Sequence, residues 1–122
     1  MITLTELNPH NYPTTPEIDA NLKTLLERVN IIREKWGKPM TVTSGLRSQA
    51  DQQRINPKAP RSNHLIGAAV DISDPQLELT KWLKGDGAKT LEEAGLWCEE
   101  GNANWVHFAI FPPKSGHRWF LP

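Results

Sequence analysis

Two histidines and an aspartate occupy positions where the sequence otherwise predicts apolar strands or a loop. Asp71 and His107 each lie between two apolar residues of a predicted strand, and His64 ends a proline-rich loop seven residues before Asp71. A carboxylate within such a strand needs a partner, because burying an unpaired charge is costly. A metal ion, a cationic side chain or a set of backbone N–H groups could each be that partner.

His64, Asp71 and His107 together form a ligand set that suits catalytic zinc. Two imidazoles and one carboxylate leave the fourth tetrahedral position open for water. A single histidine in a strand is usually an ordinary core or surface residue. Three such residues, each at a predicted element of the sheet, favour a metal site over three unrelated packing positions.

An arginine follows a short predicted strand and a glycine turn, in the run Ser44-Gly45-Leu46-Arg47-Ser48. A guanidinium group suits forked recognition of a carboxylate. The alternative is an ordinary surface arginine after a turn. Arg47 is therefore a candidate for holding an anionic group near the site.

A long amphipathic helix and several short elements must position these residues. Thr15, Pro16 and Glu17 form a helix start, and Gly37 is a plausible C-cap. The apolar stripe between them consists of Leu22, Leu25, Leu26, Val29, Ile32 and Trp36. Its spacing of three and four residues predicts a helix that packs on a core.

The remaining elements are short. We predict helices over 48–54, from Asp74-Pro75 onward and over 88–94, strands over 40–44, 67–72, 95–98 and 105–111, and an edge strand over 118–121. Residues 1–13 are predicted to be extended and 55–63 to be a loop. The pattern predicts one α+β domain over 1–122, with helices packed on one face of a small antiparallel sheet that carries the zinc site.

The composition excludes several classes of function. Fourteen basic and fourteen acidic residues give a formal net charge of zero, whereas proteins that bind nucleic acids or anionic membranes usually carry a basic excess. No segment is apolar enough to span a membrane, and the first residues do not form a secretory signal. We expect a chain made in the cytoplasm that binds neither nucleic acid nor membrane, and we expect a monomer.

Three motifs also occur here in the order of a known peptidase family. They are Ser44-Gly45-Leu46-Arg47, Ser62-Asn63-His64-Leu65-Ile66-Gly67-Ala68-Ala69-Val70-Asp71 and Trp105-Val106-His107. This arrangement resembles the M15 family, whose pattern is S-G-x-R, S-x-H-x-x-G-x-A-x-D and W-x-H. The family comprises D-alanyl-D-alanine carboxypeptidases, D,D-dipeptidases and phage peptidoglycan endopeptidases. The short chain and its tail are similar to small phage-encoded members.

The resemblance implies an M15 or hedgehog-like peptidase fold and a role for each matching residue. It implies that His64, Asp71 and His107 bind Zn²⁺. It implies that Arg47 holds a substrate carboxylate or stabilises the oxyanion. By the same resemblance, Ser62 contributes a hydrogen bond near the site. Trp105 is a candidate for lining the substrate pocket, and the alternative is ordinary core or rim packing.

The catalytic base is where this chain departs from the best-known pattern. Several members carry a glutamate three residues before the last histidine, and here that residue is Asn104, which cannot act as a base. Some members place the acid before the turn instead, in a segment resembling Leu96-Trp97-Cys98-Glu99. Glu99 is therefore the favoured base, with Glu100 as the alternative, and the register of the hairpin decides between them because neighbouring strand residues point to opposite faces.

The function implied by the resemblance is zinc-dependent hydrolysis of amide bonds in peptidoglycan stem peptides. The enzyme would be a D,D-carboxypeptidase or an endolysin-like endopeptidase that degrades the cell wall in phage lysis or as part of a virion. One alternative is a catalytically degraded module that binds the cell wall. Another is a phage structural protein in which zinc only stabilises the fold.

Overall fold

The computed structural model describes residues 1–58 and 62–121, and it has the predicted α+β architecture. The helices are α1 (Leu4–Leu7), α2 (Pro16–Trp36), α3 (Gln49–Ile55), α4 (Glu78–Lys84) and α5 (Ala88–Ala94). The strands are β1 (Val42–Ser44), β2 (Ala69–Ser73), β3 (Trp97–Glu99), β4 (Trp105–Ala109) and β5 (Trp119–Phe120), and a 3-10 helix spans Asn63–Ile66. Part of the loop predicted over 55–63 lies outside the described residues.

The long helix α2 forms as its sequence predicts. The Thr15 hydroxyl accepts from the Ile18 N–H, and Gly37 ends the helix in the left-handed conformation with φ of 73°. The buried residues of α2 are Leu22, Leu25, Val29 and Ile32. They form one stripe at helical spacing, so burial of this stripe, rather than intrinsic propensity, holds the helix in place.

The five strands form one sheet in the order β1-β2-β4-β3-β5. Three of the four strand pairs are antiparallel, as predicted, but β5 pairs with β3 in parallel. The predicted edge strand is therefore present but is shorter than predicted and breaks the antiparallel pattern. After β4 the chain passes β3 and adds β5 on the far side of β3. Because β3 is antiparallel to β4 and parallel to β5, β5 runs opposite to β4.

The two faces of the sheet have different chemistry. Val70 and Ile72 of β2 and Val106 and Phe108 of β4 are buried in the hydrophobic core, together with residues of α2, α4 and α5. Because side chains alternate along a strand, the residues between them point to the opposite face. Helices α2, α4 and α5 therefore pack on one face of the sheet, and the polar positions of β2 and β4 lie together on the other.

The N-terminal segment is not extended throughout, in contrast to the prediction. Residues Leu4–Leu7 form a helical turn closed by a capping box, in which the Thr3 side chain and the Glu6 side chain bond to each other's backbone N–H. The signal was present as Thr3-x-x-Glu6, the usual pattern of such a box. Leu7 is fully buried, and its carbonyl accepts from the Leu46 N–H at 2.7 Å.

Other element boundaries also differ from the prediction: the strands predicted over 40–44, 95–98 and 105–111 are shorter or shifted, at 42–44, 97–99 and 105–109, and α4 and β2 begin later. Helix α4 begins at Glu78 rather than at Asp74-Pro75, because a turn precedes it and Leu77 adopts a left-handed conformation with φ of 58°. The buried Asp74 carboxylate satisfies this turn by accepting from the backbone N–H groups of Leu79 and Thr80. Strand β2 begins at Ala69 rather than at Gly67, because Gly67 ends the 3-10 helix.

Within the described residues, no helix is both long enough and apolar enough to cross a membrane.

Candidate metal centre

The 3-10 helix that precedes β2 orients His64. The Ser62 hydroxyl accepts from the His64 N–H and caps the helix at 3.2 Å, and the His64 ring is 2 % exposed. His64 Nδ1 lies 2.9 Å from the Gly45 carbonyl oxygen, which can only accept, so this nitrogen carries the proton. His64 Nε2 is then the nitrogen with a free lone pair, and it faces Asp71.

The pairing of β2 with β4 places Asp71 directly opposite His107. Asp71 Oδ1 is 2.9 Å from His107 Nδ1, and Asp71 Oδ2 is 3.4 Å from His64 Nε2. The two imidazole rings meet edge to face with centroids 5.1 Å apart. The three residues that the sequence singled out, far apart in the chain, thus form one buried cluster on the polar face of the sheet.

The donor set of this cluster fits a zinc ion. One potential ligand atom from each of His64, Asp71 and His107 lies within 4.8 Å of the other two. Tetrahedral ligands about 2.1 Å from zinc lie about 3.4 Å from one another, so little movement would bring all three onto one ion. The proton on His64 Nδ1 is donated to a carbonyl, which is the arrangement that usually fixes the orientation of a metal-ligating histidine.

The Asp71 carboxyl is strongly biased toward its ionised form. Burial by itself would raise the pKa of Asp71, but its interactions with the His107 and His64 side chains outweigh burial and hold that pKa well below the ordinary value of 3.8. An ionised carboxylate between two imidazoles is the protonation state that metal binding requires.

Arg47 contacts the cluster through Asp71 and is held on its other sides by neutral groups. Its Nε donates to Ser44 Oγ at 2.9 Å, its Nη1 to Gln52 Oε1 at 3.0 Å and its Nη2 to Asp71 Oδ2 at 3.4 Å. Ser44 is the β1 partner of Asp71 in the sheet, which explains why strand, turn and arginine meet here. Gln52, buried on α3, was not identified from the sequence, because a glutamine in a short helix gives no signal.

The hairpin formed by β3 and β4 distinguishes the two candidate acids. Cys98 of β3 pairs with Phe108 of β4, and both are in the core. Continuing this register by one residue brings Glu99 opposite His107, on the polar face. Glu100 follows on the other side, where its carboxylate pairs with the Lys84 ammonium group.

Two aromatic residues lie on the same face as His107. Trp105 precedes His107 by two positions on β4 and is half-buried. Phe120 of β5 approaches the His107 ring edge to face, with centroids 6.2 Å apart. No local pattern connects Phe120 with the site, because that contact depends on how β5 adds to the sheet.

A cavity of about 590 Å³ opens beside Arg47 and Ser62. Its other walls are mainly apolar and include Leu46, Leu65 and Tyr12, whose hydroxyl donates to the Asp51 carboxylate. Arg47 and Ser62, two of the predicted substrate contacts, both line this cavity, whereas His64, Asp71 and His107 do not. Trp105 does not line it. Tyr12 was not predicted to have a role, since it falls in the segment assigned as extended.

The fold and the cluster together define a class of protein: a mixed α+β domain with a His-Asp-His cluster on the polar face of its sheet. Residues 2–109 match the family model for Peptidase M15, so the chain belongs to the M15 peptidase family. Among solved structures it is similar to the L-Ala D-Glu endopeptidase ChiX of Serratia marcescens, with 21% identity and a TM-score of 0.53 over 86% of this chain and 95% of that one. At that identity the likeness concerns the fold. No curated protein matches the chain in a sequence comparison.

Proposed function

We propose that this protein hydrolyses amide bonds in peptidoglycan stem peptides with the help of zinc, and that it acts on the cell wall. The observation that carries the proposal is the convergence of His64, Asp71 and His107 on one point. Membership of a peptidase family supports hydrolysis. The named activity of the structural neighbour, on an L-Ala D-Glu bond, supports a stem peptide as substrate.

His64, Asp71 and His107 would hold the metal through His64 Nε2, an Asp71 carboxylate oxygen and His107 Nδ1, since these atoms face one another. A bound zinc ion polarises a scissile carbonyl and makes water more acidic. The chain itself contributes the orientation of its ligands: the Gly45 carbonyl holds His64, and Arg47 holds Asp71.

Glu99 is the general base of the proposed mechanism. Its carboxylate takes a proton from the attacking water and passes that proton to the leaving amine, which separates as the C–N bond breaks. Glu99 is preferred to Glu100 because it shares the face of His107, whereas the Glu100 carboxylate pairs with Lys84.

Arg47 orients the substrate by binding the substrate's carboxylate, or it stabilises the negative charge that develops on the oxygen of the scissile carbonyl. Arg47 and Ser62 both line the cavity, and the Arg47 guanidinium donates to Ser44, Gln52 and Asp71. Three side-chain partners fix the plane of that guanidinium, so few rotamers are lost when an anionic group binds. Trp105 contributes an aromatic wall on the His107 side of the site.

A second candidate function is a module that binds the cell wall without cutting it. Asn104 favours this alternative, because it stands where several family members carry the catalytic glutamate. The two functions share the metal cluster and differ in turnover alone.

The experiment that tests the proposal measures zinc per chain together with release of peptides and D-alanine from purified peptidoglycan, before and after chelation. One zinc per chain with release that stops on chelation and returns with zinc is the expected result. Mass spectrometry of the products then distinguishes a terminal D-alanine from an internal cut. Zinc binding with no release from any wall type would favour the binding module, and a protein that binds no zinc would contradict the proposed ligands.

A further inference from the structure

The turn between β3 and β4 contains an asparagine that connects the proposed base to an aromatic ring of the site. In the orientation that satisfies both neighbours, the Asn102 amide nitrogen donates to Glu99 Oε1 at 3.2 Å and its oxygen accepts from Trp105 Nε1 at 3.2 Å. Each of the three side chains is half-buried. The contacts form a continuous path from the indole, through the amide, to the carboxylate.

These two hydrogen bonds restrain the Glu99 carboxylate, which the backbone of β3 alone leaves free to rotate. Glu99 is the last residue of β3, and its side chain has three rotatable bonds. Trp105 is the first residue of β4, and its pairing with Ser73 of β2 anchors its backbone in the sheet. The hydrogen bond from the Trp105 indole restrains the orientation of the Asn102 amide, and in that orientation an amide N–H points to Glu99.

We propose that Asn102 is a positioning residue, which holds the Glu99 carboxylate toward the metal ligands by bridging it to Trp105. The proposal rests on the proposed function, because it assigns Asn102 a part in the step that Glu99 carries out. It also explains how a chain with Asn104 in place of a glutamate retains an oriented acid. The acid, Glu99, lies on β3, and the turn between β3 and β4 supplies Asn102, which holds the Glu99 carboxylate in place.

The first test separates kcat from KM on soluble stem peptide. Asn102→Ala should lower kcat by about tenfold or more while KM and zinc content stay as in the wild type, since a misplaced catalytic group affects the reaction more than binding. Asn104→Ala is the matched control, because this exposed asparagine lies in the same turn and should leave kcat unchanged. Trp105→Phe keeps an aromatic ring but removes the indole N–H, and it should lower kcat only partly.

Combining the changes tests whether they act along one path. If Asn102 holds Glu99 by way of Trp105, Trp105→Phe should have almost no further effect in the Asn102→Ala background. Independent, multiplicative losses of kcat would overturn the proposal. So would wild-type kcat in Asn102→Ala.

The second test detects the contact without any turnover. In ¹H–¹⁵N spectra the indole N–H signal that disappears in Trp105→Phe belongs to Trp105. It should move upfield in Asn102→Ala and stay in place in Asn104→Ala. An unmoved signal in Asn102→Ala would overturn the bridge.

The failure of the positioning role can be told apart from the failure of the proposed function. If the wild type is active and Asn102→Ala has the same kcat, only the positioning role is wrong. If the wild type releases no peptide, the proposed function is wrong and the positioning role with it.

Discussion

Asp71 and His107 are direct partners across the antiparallel pair of β2 and β4, and their side chains meet with Oδ1 and Nδ1 2.9 Å apart. The contact places a carboxylate and an imidazole on the polar face of the sheet, where His64 completes the cluster. Sheet register is therefore the property on which the proposed metal site depends most directly.

Removal of either histidine should abolish zinc binding. We expect His64→Ala and His107→Ala to lose the stoichiometric zinc that the wild type binds, because two remaining ligands do not hold the ion against water. His117→Ala changes an exposed histidine and should keep one zinc per chain. The same samples give a second measurement. Zinc at about 100 times its Kd should stabilise the wild type by about 2.7 kcal/mol and leave the two ligand variants unchanged. Full zinc content in His107→Ala would contradict the assignment.

The two glutamates of the hairpin should behave differently. Glu99→Gln should lower kcat by about 10²–10⁴-fold with zinc still bound, because an amide cannot accept the proton of water. Glu100→Gln is the matched change on the adjacent residue. It removes a partner of Lys84 and should keep nearly full activity. The reverse result would transfer the role of base to Glu100.

Arg47 should not be replaceable by lysine. Arg47→Lys retains a positive charge but cannot contact Ser44, Gln52 and Asp71 at once, so the group that meets the substrate loses its fixed plane. We expect kcat/KM on stem peptide to fall by about 100-fold. Arg54→Lys, at an exposed arginine on α3, serves as the control and should change kcat/KM little. Comparable activity in the two variants would mean that only the charge of Arg47 matters.

Gly45 packs against Leu7 of α1 and its carbonyl contacts His64, and we expect that it does not tolerate a side chain. A Cβ at Gly45 would lie 2.2 Å from the Leu7 carbonyl oxygen, which is backbone and cannot rotate away. Because the Gly45 carbonyl also holds His64, we expect Gly45→Ala to cost about 3 kcal/mol of unfolding free energy and to weaken zinc binding. Gly116→Ala is the control. It has φ of 73° with open space around it and should cost about 1 kcal/mol without affecting zinc. Equal losses in the two variants would contradict the steric argument.

The stability of the metal-free protein should depend on pH through Asp71. Because the folded-state pKa of Asp71 is depressed, its contribution is complete above the ordinary value of 3.8 and is lost as the pH falls through the lower folded-state value. In chelator at pH 7, Asp71→Asn should be less stable than the wild type by about 1–3 kcal/mol. Urea unfolding at a series of pH values should show this difference shrinking below pH 3.8. A difference that grows on acidification would mean that the carboxylate is not stabilised in the folded state.

The residues of the cluster and most of the elements that carry them could be predicted from local sequence patterns. His64, Asp71 and His107 stood out because each is polar within an apolar or proline-rich setting, and their residue types already implied a metal. Helix α2 was equally readable, since its cap, its apolar stripe and its terminal glycine are local signals. Local patterns also indicated the hairpin of β3 and β4, although its register could not be read from them.

Which of these residues meet, and which groups hold them, depends on the tertiary fold. The face of Glu99, the bond from Gly45 to His64 and the contact of Phe120 with His107 follow from strand register and from the parallel addition of β5. The partners of Arg47 come from three separate elements. Such contacts join residues distant in the chain, and their formation depends on packing the whole core, which no short window of sequence encodes.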